Sequence, residues 1–262
     1  MRNFGKSLKN AVFSVNFLVS MMVSLILLIS PIFETLAAYL KYGGRLPWIY
    51  FLDLTMTSGS FCIFAPLLAA FPYTSRFCEE FESGYIKSIL IREKPARYLL
   101  TKFFANGIAG GLALSVPLAL FIVVLLFIGV PYRAEDVPEG FVTIYNQTIF
   151  QHSQFLWGGI AVLLIFVLLT FLSGAVWANV GLCLSVFVRN KYLAVGFPLV
   201  LYYGVTVILV GTDIFGFSPM NLIYPTTVDS VPLYVNIPFQ LAELALLCVV
   251  FTIKGKVVLR NV

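Results

Sequence analysis

The sequence predicts an all-α integral membrane protein with six transmembrane helices, and three observations lead there. Of the 262 residues, 60% are hydrophobic and 16% aromatic, with a mean hydropathy of +0.96; a soluble core of this size could not bury that much apolar surface. The apolar residues fall into blocks of about twenty, the length that crosses a ~30 Å hydrocarbon layer at ~1.5 Å per residue. Lysine and arginine, finally, alternate between rich and poor connections as the blocks are crossed, the pattern that sets orientation in a bilayer.

The blocks lie at about residues 11–33, 56–73, 103–130, 155–188, 193–211 and 237–253. The first follows Arg2, Lys6 and Lys9. A cleaved signal peptide is the alternative there, but a signal's apolar region is about 7–15 residues and this run is longer, so it is expected to remain as a span. The second block carries Pro66 and Pro72 and the third Pro117. Kinks are expected at these prolines, with neighbouring helices satisfying the freed carbonyls. The fourth block is too long for one straight span and is expected to tilt or to begin as an interfacial helix around 155–157.

With the N-terminus inside, the inner segments hold Arg2, Lys6, Lys9, Arg76, Lys87, Arg92, Lys94, Arg97, Lys102, Arg189, Lys191, Lys254, Lys256 and Arg260, leaving Lys41, Arg45 and Arg133 outside. Both termini are therefore expected in the cytoplasm. The net charge of +5 is then an orientation signal, and nucleic acid is not an expected partner. Cys62, Cys78, Cys183 and Cys248 show no metal spacing and suggest no disulfide frame. Asn146-Gln147-Thr148 is a formal glycosylation sequon in an outer segment, too short a match to inform. The outer segment 212–236 holds Pro219, Pro225 and Pro232 among apolar residues, unlike a flexible polar loop.

Charge concentrates in the inner loop, residues 74–102, whose passage FCEEFESGYIKSILIREKPARYLLTK begins at Phe77. Phe77, Phe81 and Tyr85 recur at helical spacing, as do Phe81, Ile86, Ile89 and Leu90, while Glu79, Glu80, Glu82 and Lys87 supply polar positions. This predicts an amphipathic helix along the inner membrane face, stopped by Lys94-Pro95. Physically, its charged side chains, Arg92 and Arg97 included, offer ion pairs, its aromatics offer knobs for a groove, and Gly84 allows a bend or a close approach. A solvated connection that merely hugs lipid is the simpler alternative.

Glu80, Gly84 four residues on, the Ile86/Ile89/Leu90 patch, Pro95, Arg97 and Lys102 at the opening of a span together resemble the cytoplasmic loop of type-2 ABC transporter permeases. The turn SVFVRNKYLAVGFP between blocks four and five is similar to that family's short inner loop. Where the family has Thr after the glycine this chain has Tyr85, and Ala96 stands where Ser is common. The resemblance implies that the loop is a coupling element for a separate ABC ATPase, with Phe77, Glu79, Glu80, Phe81, Glu82, Gly84, Tyr85, Lys87, Arg92 and Arg97 as contact candidates. It also implies a second permease subunit, export by alternating access, short outer helices over 212–236 that dip into the membrane, and a multi-pass protein of the bacterial plasma membrane. ATP and its magnesium ion would be bound by the ATPase. Gly5-Lys6-Ser7 lacks the first glycine of a phosphate-binding loop, so no cofactor is expected in this chain.

Gly107 and Gly111 form a G-x-x-x-G pair, and Gly174, Ala178, Gly181 and Ser185 line a small-residue face in the fourth block; both suit helix packing within the chain or a dimer seam. Glu243 is the one acid well inside a block, either a substrate contact or an interfacial glutamate, and Asn179 either bonds a neighbouring helix or lines the same path. The chain has one histidine, His152, in an outer segment, so a zinc centre or a serine–histidine pair inside the membrane is not expected. Glu79-Glu80 followed by Gly84 departs from the E-E-x-x-x-R pattern of membrane prenyl-protein proteases. A six-span secondary transporter or channel remains the main alternative, though it would ordinarily carry several intramembrane charges or a second repeat half. An aromatic and aliphatic interior favours amphipathic, peptide or lipid-like cargo.

Overall fold

The computed structural model of the chain describes residues 2–42, 48–91, 93–128, 160–224 and 231–260. Arg45, Arg92, Arg133, the 146–148 sequon, His152, Pro225 and the start of the fourth block lie outside the described residues.

Among the described residues every regular element is helical. In chain order these are α1 (Arg2–Val12), α2 (Val15–Ile29), a 3-10 turn (Ser30–Ile32), α3 (Phe33–Tyr42), α4 (Trp48–Ser58), α5 (Phe61–Ala70), α6 (Ser75–Glu82), α7 (Tyr85–Leu90), α8 (Pro95–Ile128), α9 (Ile160–Phe187), α10 (Lys191–Leu209), a 3-10 turn (Phe215–Phe217), α11 (Pro219–Ile223) and α12 (Leu233–Arg260). Five helical segments are long and apolar enough to cross a membrane: Val15–Lys41, Phe61–Glu82, Pro95–Ile128, Leu163–Phe187 and Lys191–Leu209. They correspond to the first five expected blocks. The sixth block falls inside α12, helical throughout but interrupted by Asn236, Gln240 and Glu243, and it is not among the five.

Several boundaries differ from expectation, among them the second span, which covers Phe61–Glu82 where 56–73 was expected, and two of the shifts have a local cause. The first block splits: α1 is a separate, strongly amphipathic helix packed on α8, and Ser14 starts α2 by accepting a hydrogen bond from the Phe17 amide at 3.1 Å. A serine hydroxyl that satisfies an orphan amide fixes a helix start more firmly than hydropathy can. Pro95, expected to stop the inner helix, instead opens α8 at the first helical position, where its missing N–H costs nothing. The span therefore begins eight residues earlier than position 103.

α8 and α9 form the centre of the bundle, with α12, α10 and α5 packed on α9 and α2 packed on α8 and α5. Small residues let the central pair approach closely. A Cβ added to Gly174 would lie 2.8 Å from the Gly110 carbonyl oxygen and 3.0 Å from the Gly111 Cα, and one added to Gly107 would lie 2.6 Å from Asn179 Nδ2. Gly107, Gly111, Gly174 and Ala178 thus meet within one chain. Gly181 serves a second contact, since a Cβ there would lie 2.4 Å from the Ala194 carbonyl oxygen of α10.

Two prolines are answered by one helix. Pro72 has no N–H for the carbonyl of Leu68, and Pro117 none for that of Ala113. Ser20 donates to the Leu68 oxygen at 2.7 Å and Ser24 to the Ala113 oxygen at 3.4 Å. Both serines are fully buried one turn apart on α2, so a single helix face supplies both missing donors.

At the opposite end from the basic residues, the described part of segment 212–236 holds the Phe215–Phe217 turn and α11. Asn236 and Gln240 donate to the Leu222 carbonyl at 3.3 and 3.1 Å, and Ser173 donates to Gln240 Oε1 at 3.0 Å, tying α11, α12 and α9 together. Tyr224 donates to Asp53 Oδ1 at 3.0 Å. Burial pushes the Asp53 carboxyl above its ordinary range, and this hydrogen bond opposes the shift.

Candidate functional site

The charged passage does not form one helix. α6 and α7 meet at Ser83-Gly84, where Gly84 takes φ +69°, ψ +2°. This is the left-handed region that glycine enters without a Cβ penalty. Nothing lies within 4 Å of a Cβ placed there, so the residue serves the bend and not a close approach.

The apolar face of this bent pair packs on the bundle. Phe77 and Ile86, 2% and 1% exposed, share a core with Tyr98, Leu99, Phe103 and Phe251, and Phe77 meets the Phe251 ring edge-on at 5.7 Å. Phe81, half-buried against the same core, lies under the Arg189 guanidinium at 4.0 Å. Arg189 belongs to the turn between α9 and α10, where Asn190 caps α10 by accepting from the amides of Tyr192 and Leu193. The two inner connections are therefore in direct contact.

The polar anchor is Glu80. Its carboxylate accepts from Lys102 Nζ at 2.5 Å and from the Tyr98 hydroxyl at 2.6 Å, while Lys102 also donates to the Tyr73 hydroxyl at 2.9 Å. The Lys102 and Glu80 side chains are 6% and 19% exposed. An ammonium so deeply placed is tolerable only with its counter-charge and further acceptors at hand. The pair pins α6 to the start of α8, across 22 residues of chain.

What remains outward is narrower than the sequence suggested. Phe77 and Glu80 are committed to the bundle. Glu79 accepts from the Ser75 hydroxyl at 3.0 Å and lies 4.0 Å from Arg76, a half-exposed pair of little energetic weight. Glu82, Gly84, Tyr85, Lys87 and Arg97 are exposed, Tyr85 at 58%. Ile91, 86% exposed, joins them. The result is a ledge fixed from behind, presenting one aromatic, one aliphatic and mixed charges.

Deeper in the bundle, Thr74 donates to Asn106 Oδ1 at 3.1 Å and Asn106 donates to Asn179 Oδ1 at 3.3 Å. All three are buried. This chain of amides and hydroxyl links the segment before α6 with α8 and α9, so Asn179 bonds a neighbouring helix. Its side also borders, with Gly107, an apolar cleft between α8, α9 and α12. Glu243 lies elsewhere, in a cleft between α9, α10 and α12. Asn179 and Glu243 are not brought to one site. Thr74, Asn106, Tyr73 and Tyr98 escaped sequence reasoning because single polar residues in apolar runs carry no periodic signal; the lysine opening a span, Lys102, was the one visible hint that a buried counter-charge would be needed.

Compared with known proteins, the chain is matched by no family model, no curated protein and no solved structure.

Proposed function

We propose that this chain is the membrane-spanning permease subunit of an ATP-driven transporter of the type-2 ABC kind, with six spans, both termini in the cytoplasm of a bacterial cell, and export of an amphipathic, peptide or lipid-like substrate. The observation that carries the reading is the ledge at the basic end. A connection with no role beyond joining two spans has no need of a buried ion pair, an aromatic core and a second inner turn to hold its shape. A connection that transmits force from a partner does. Rigid attachment behind and exposed anchors in front is the arrangement by which a push on Tyr85 and Ile91 would reach α8 and α12.

On this reading two separate ATPase subunits bind ATP and magnesium, and a second permease completes the pathway. The small-residue faces of α8 and α9 are used within the chain, so the seam to a second subunit would lie elsewhere. Glu243 in its apolar cleft favours the alternative of a carrier without ATP, since a lone intramembrane carboxylate suits proton coupling. The test is affinity purification from the native host in mild detergent, followed by identification of bound subunits. An ABC-type ATPase that co-purifies with the wild-type chain and is lost from Tyr85→Ala and Ile91→Ala is the expected result. A chain that transports in proteoliposomes alone would overturn the proposal.

A further inference from the structure

The face of α12 turned toward α9 carries Asn236, Gln240, Glu243 and Leu247 at spacings of four, three and four, one stripe of a helix. The first two polar groups are consumed: Asn236 by the Leu222 carbonyl and Gln240 Nε2, Gln240 by Leu222, Asn236 and Ser173. At the fourth, the Leu247 carbonyl accepts from Cys183 Sγ at 3.4 Å. Glu243 alone on this stripe pairs with no described residue. It lies ten residues into α12, about 15 Å along the axis from Leu233, one wall of a cleft of about 300 Å³.

The cleft's chemistry is one-sided. Trp177, Val180, Leu201, Val205, Phe217 and Phe239 give it an apolar and aromatic lining, and among the described residues Glu243 is the sole charged one there; Ser173, the other polar wall, already donates its hydroxyl to Gln240. A carboxylate kept among apolar groups without a partner is costly. A ligand that brings a positive charge on an apolar, aromatic-compatible body would remove that cost, burying its hydrocarbon against the lining and its cation between Glu243 and the face of an indole.

We propose that this cleft binds a monovalent organic cation with an apolar body, the cation held by Glu243. As a substrate class this rests on the transport reading above, but the binding itself needs no ATPase. The probe is tetraphenylphosphonium, with tetraphenylborate as an anion of the same shape. The purified chain, with Trp48 and Trp157 replaced by Phe so that Trp177 is the sole indole, is titrated in nanodiscs of neutral lipid and followed by fluorescence. The phosphonium should quench Trp177 saturably and the borate should not. Glu243→Gln should weaken phosphonium binding at least tenfold, Glu243→Asp less, and Val205→Phe, which fills much of the cleft without adding an indole, should weaken it at least as much. Equal binding of both ions, or an unchanged affinity in a monodisperse Glu243→Gln protein, would overturn the proposal. Should Glu243→Gln not fold, the contrast between the two probes and Val205→Phe decide. Loss of the cation site would leave ATPase co-purification untouched, so the two readings fail separately.

Discussion

At Glu80 and Lys102 a single contact decides how the charged loop is held. Removing one member leaves the other charged in a site chosen for a pair, and such losses run to about 3–5 kcal/mol when both groups are buried. Glu80 retains some exposure, so Glu80→Ala should cost toward the lower end, about 3 kcal/mol, and Lys102→Met less, because the remaining carboxylate can turn to water. The double variant should be more stable than the sum of the single losses allows. Thermal unfolding in detergent over the four proteins gives the coupling; strict additivity would mean that the short contact carries no energy. The serines of α2 make a gentler case. Ser20→Ala and Ser24→Ala each remove a donor from a proline-freed carbonyl, and intramembrane hydrogen bonds average about 0.6 kcal/mol with a ceiling near 1.7. Ser20, with the shorter bond, should show the larger loss in the same assay, and a reversed order would remove the proline explanation. Little of this was legible beforehand. That the prolines would need donors from neighbours follows from their chemistry, but which residue reaches them depends on how α2 packs. Glu80 reads in sequence as one more charge on a solvated face, and only the fold reveals that Lys102, Tyr98 and Tyr73 converge on it.

Among the elements, the α6–α7 bend and the α8–α9 seam both depend on glycine, for different reasons. At Gly84 the backbone needs a positive φ and space is free, so Gly84→Ala should cost about 1–2 kcal/mol through the left-handed conformation alone, and Gly84→Asn less. At Gly174 the conformation is ordinary and space is absent, so Gly174→Ala must push α8 away from α9 and should lower the melting temperature further than Gly84→Ala does. Gly204→Ala, in α10 with nothing within 4 Å, should be neutral or slightly stabilising by helix propensity. Equal shifts for Gly174→Ala and Gly204→Ala would show that the seam is looser than its contacts imply. The sequence made the seam readable, since small residues every four positions mark a close helix contact. It left the partner open because spacing is the same for a contact within one chain and between two. The amphipathic pattern of residues 77–90 was readable too, but periodicity continues across a one-residue kink, so one helix was expected where two stand.

For the whole molecule the number of crossings turns on α12. Five segments are apolar enough without qualification; were they the complete set, the chain's two ends would lie on opposite sides of the membrane. The case for a sixth rests on how the polar residues of α12 are spent. Asn236 and Gln240 have their hydrogen bonds filled by Leu222 and Ser173, which lowers the cost of carrying them into hydrocarbon. Lys254, Lys256 and Arg260 sit at the far end, where long side chains reach the headgroups. Glu243 alone stays expensive, and the cleft offers it a ligand. α12 should therefore cross, and Lys87 and Arg260 should share the cytoplasmic side while Asp213 faces out. Single cysteines at these three exposed positions, introduced after Cys62, Cys78, Cys183 and Cys248 are replaced, can be labelled with a membrane-impermeant maleimide in intact cells and again after lysis. Asp213→Cys should react in intact cells and the other two only after lysis. Labelling of Arg260→Cys alongside Asp213→Cys would leave α12 on the outer surface, reduce the spans to five, and expose Glu243 to water, which would take the cation site with it.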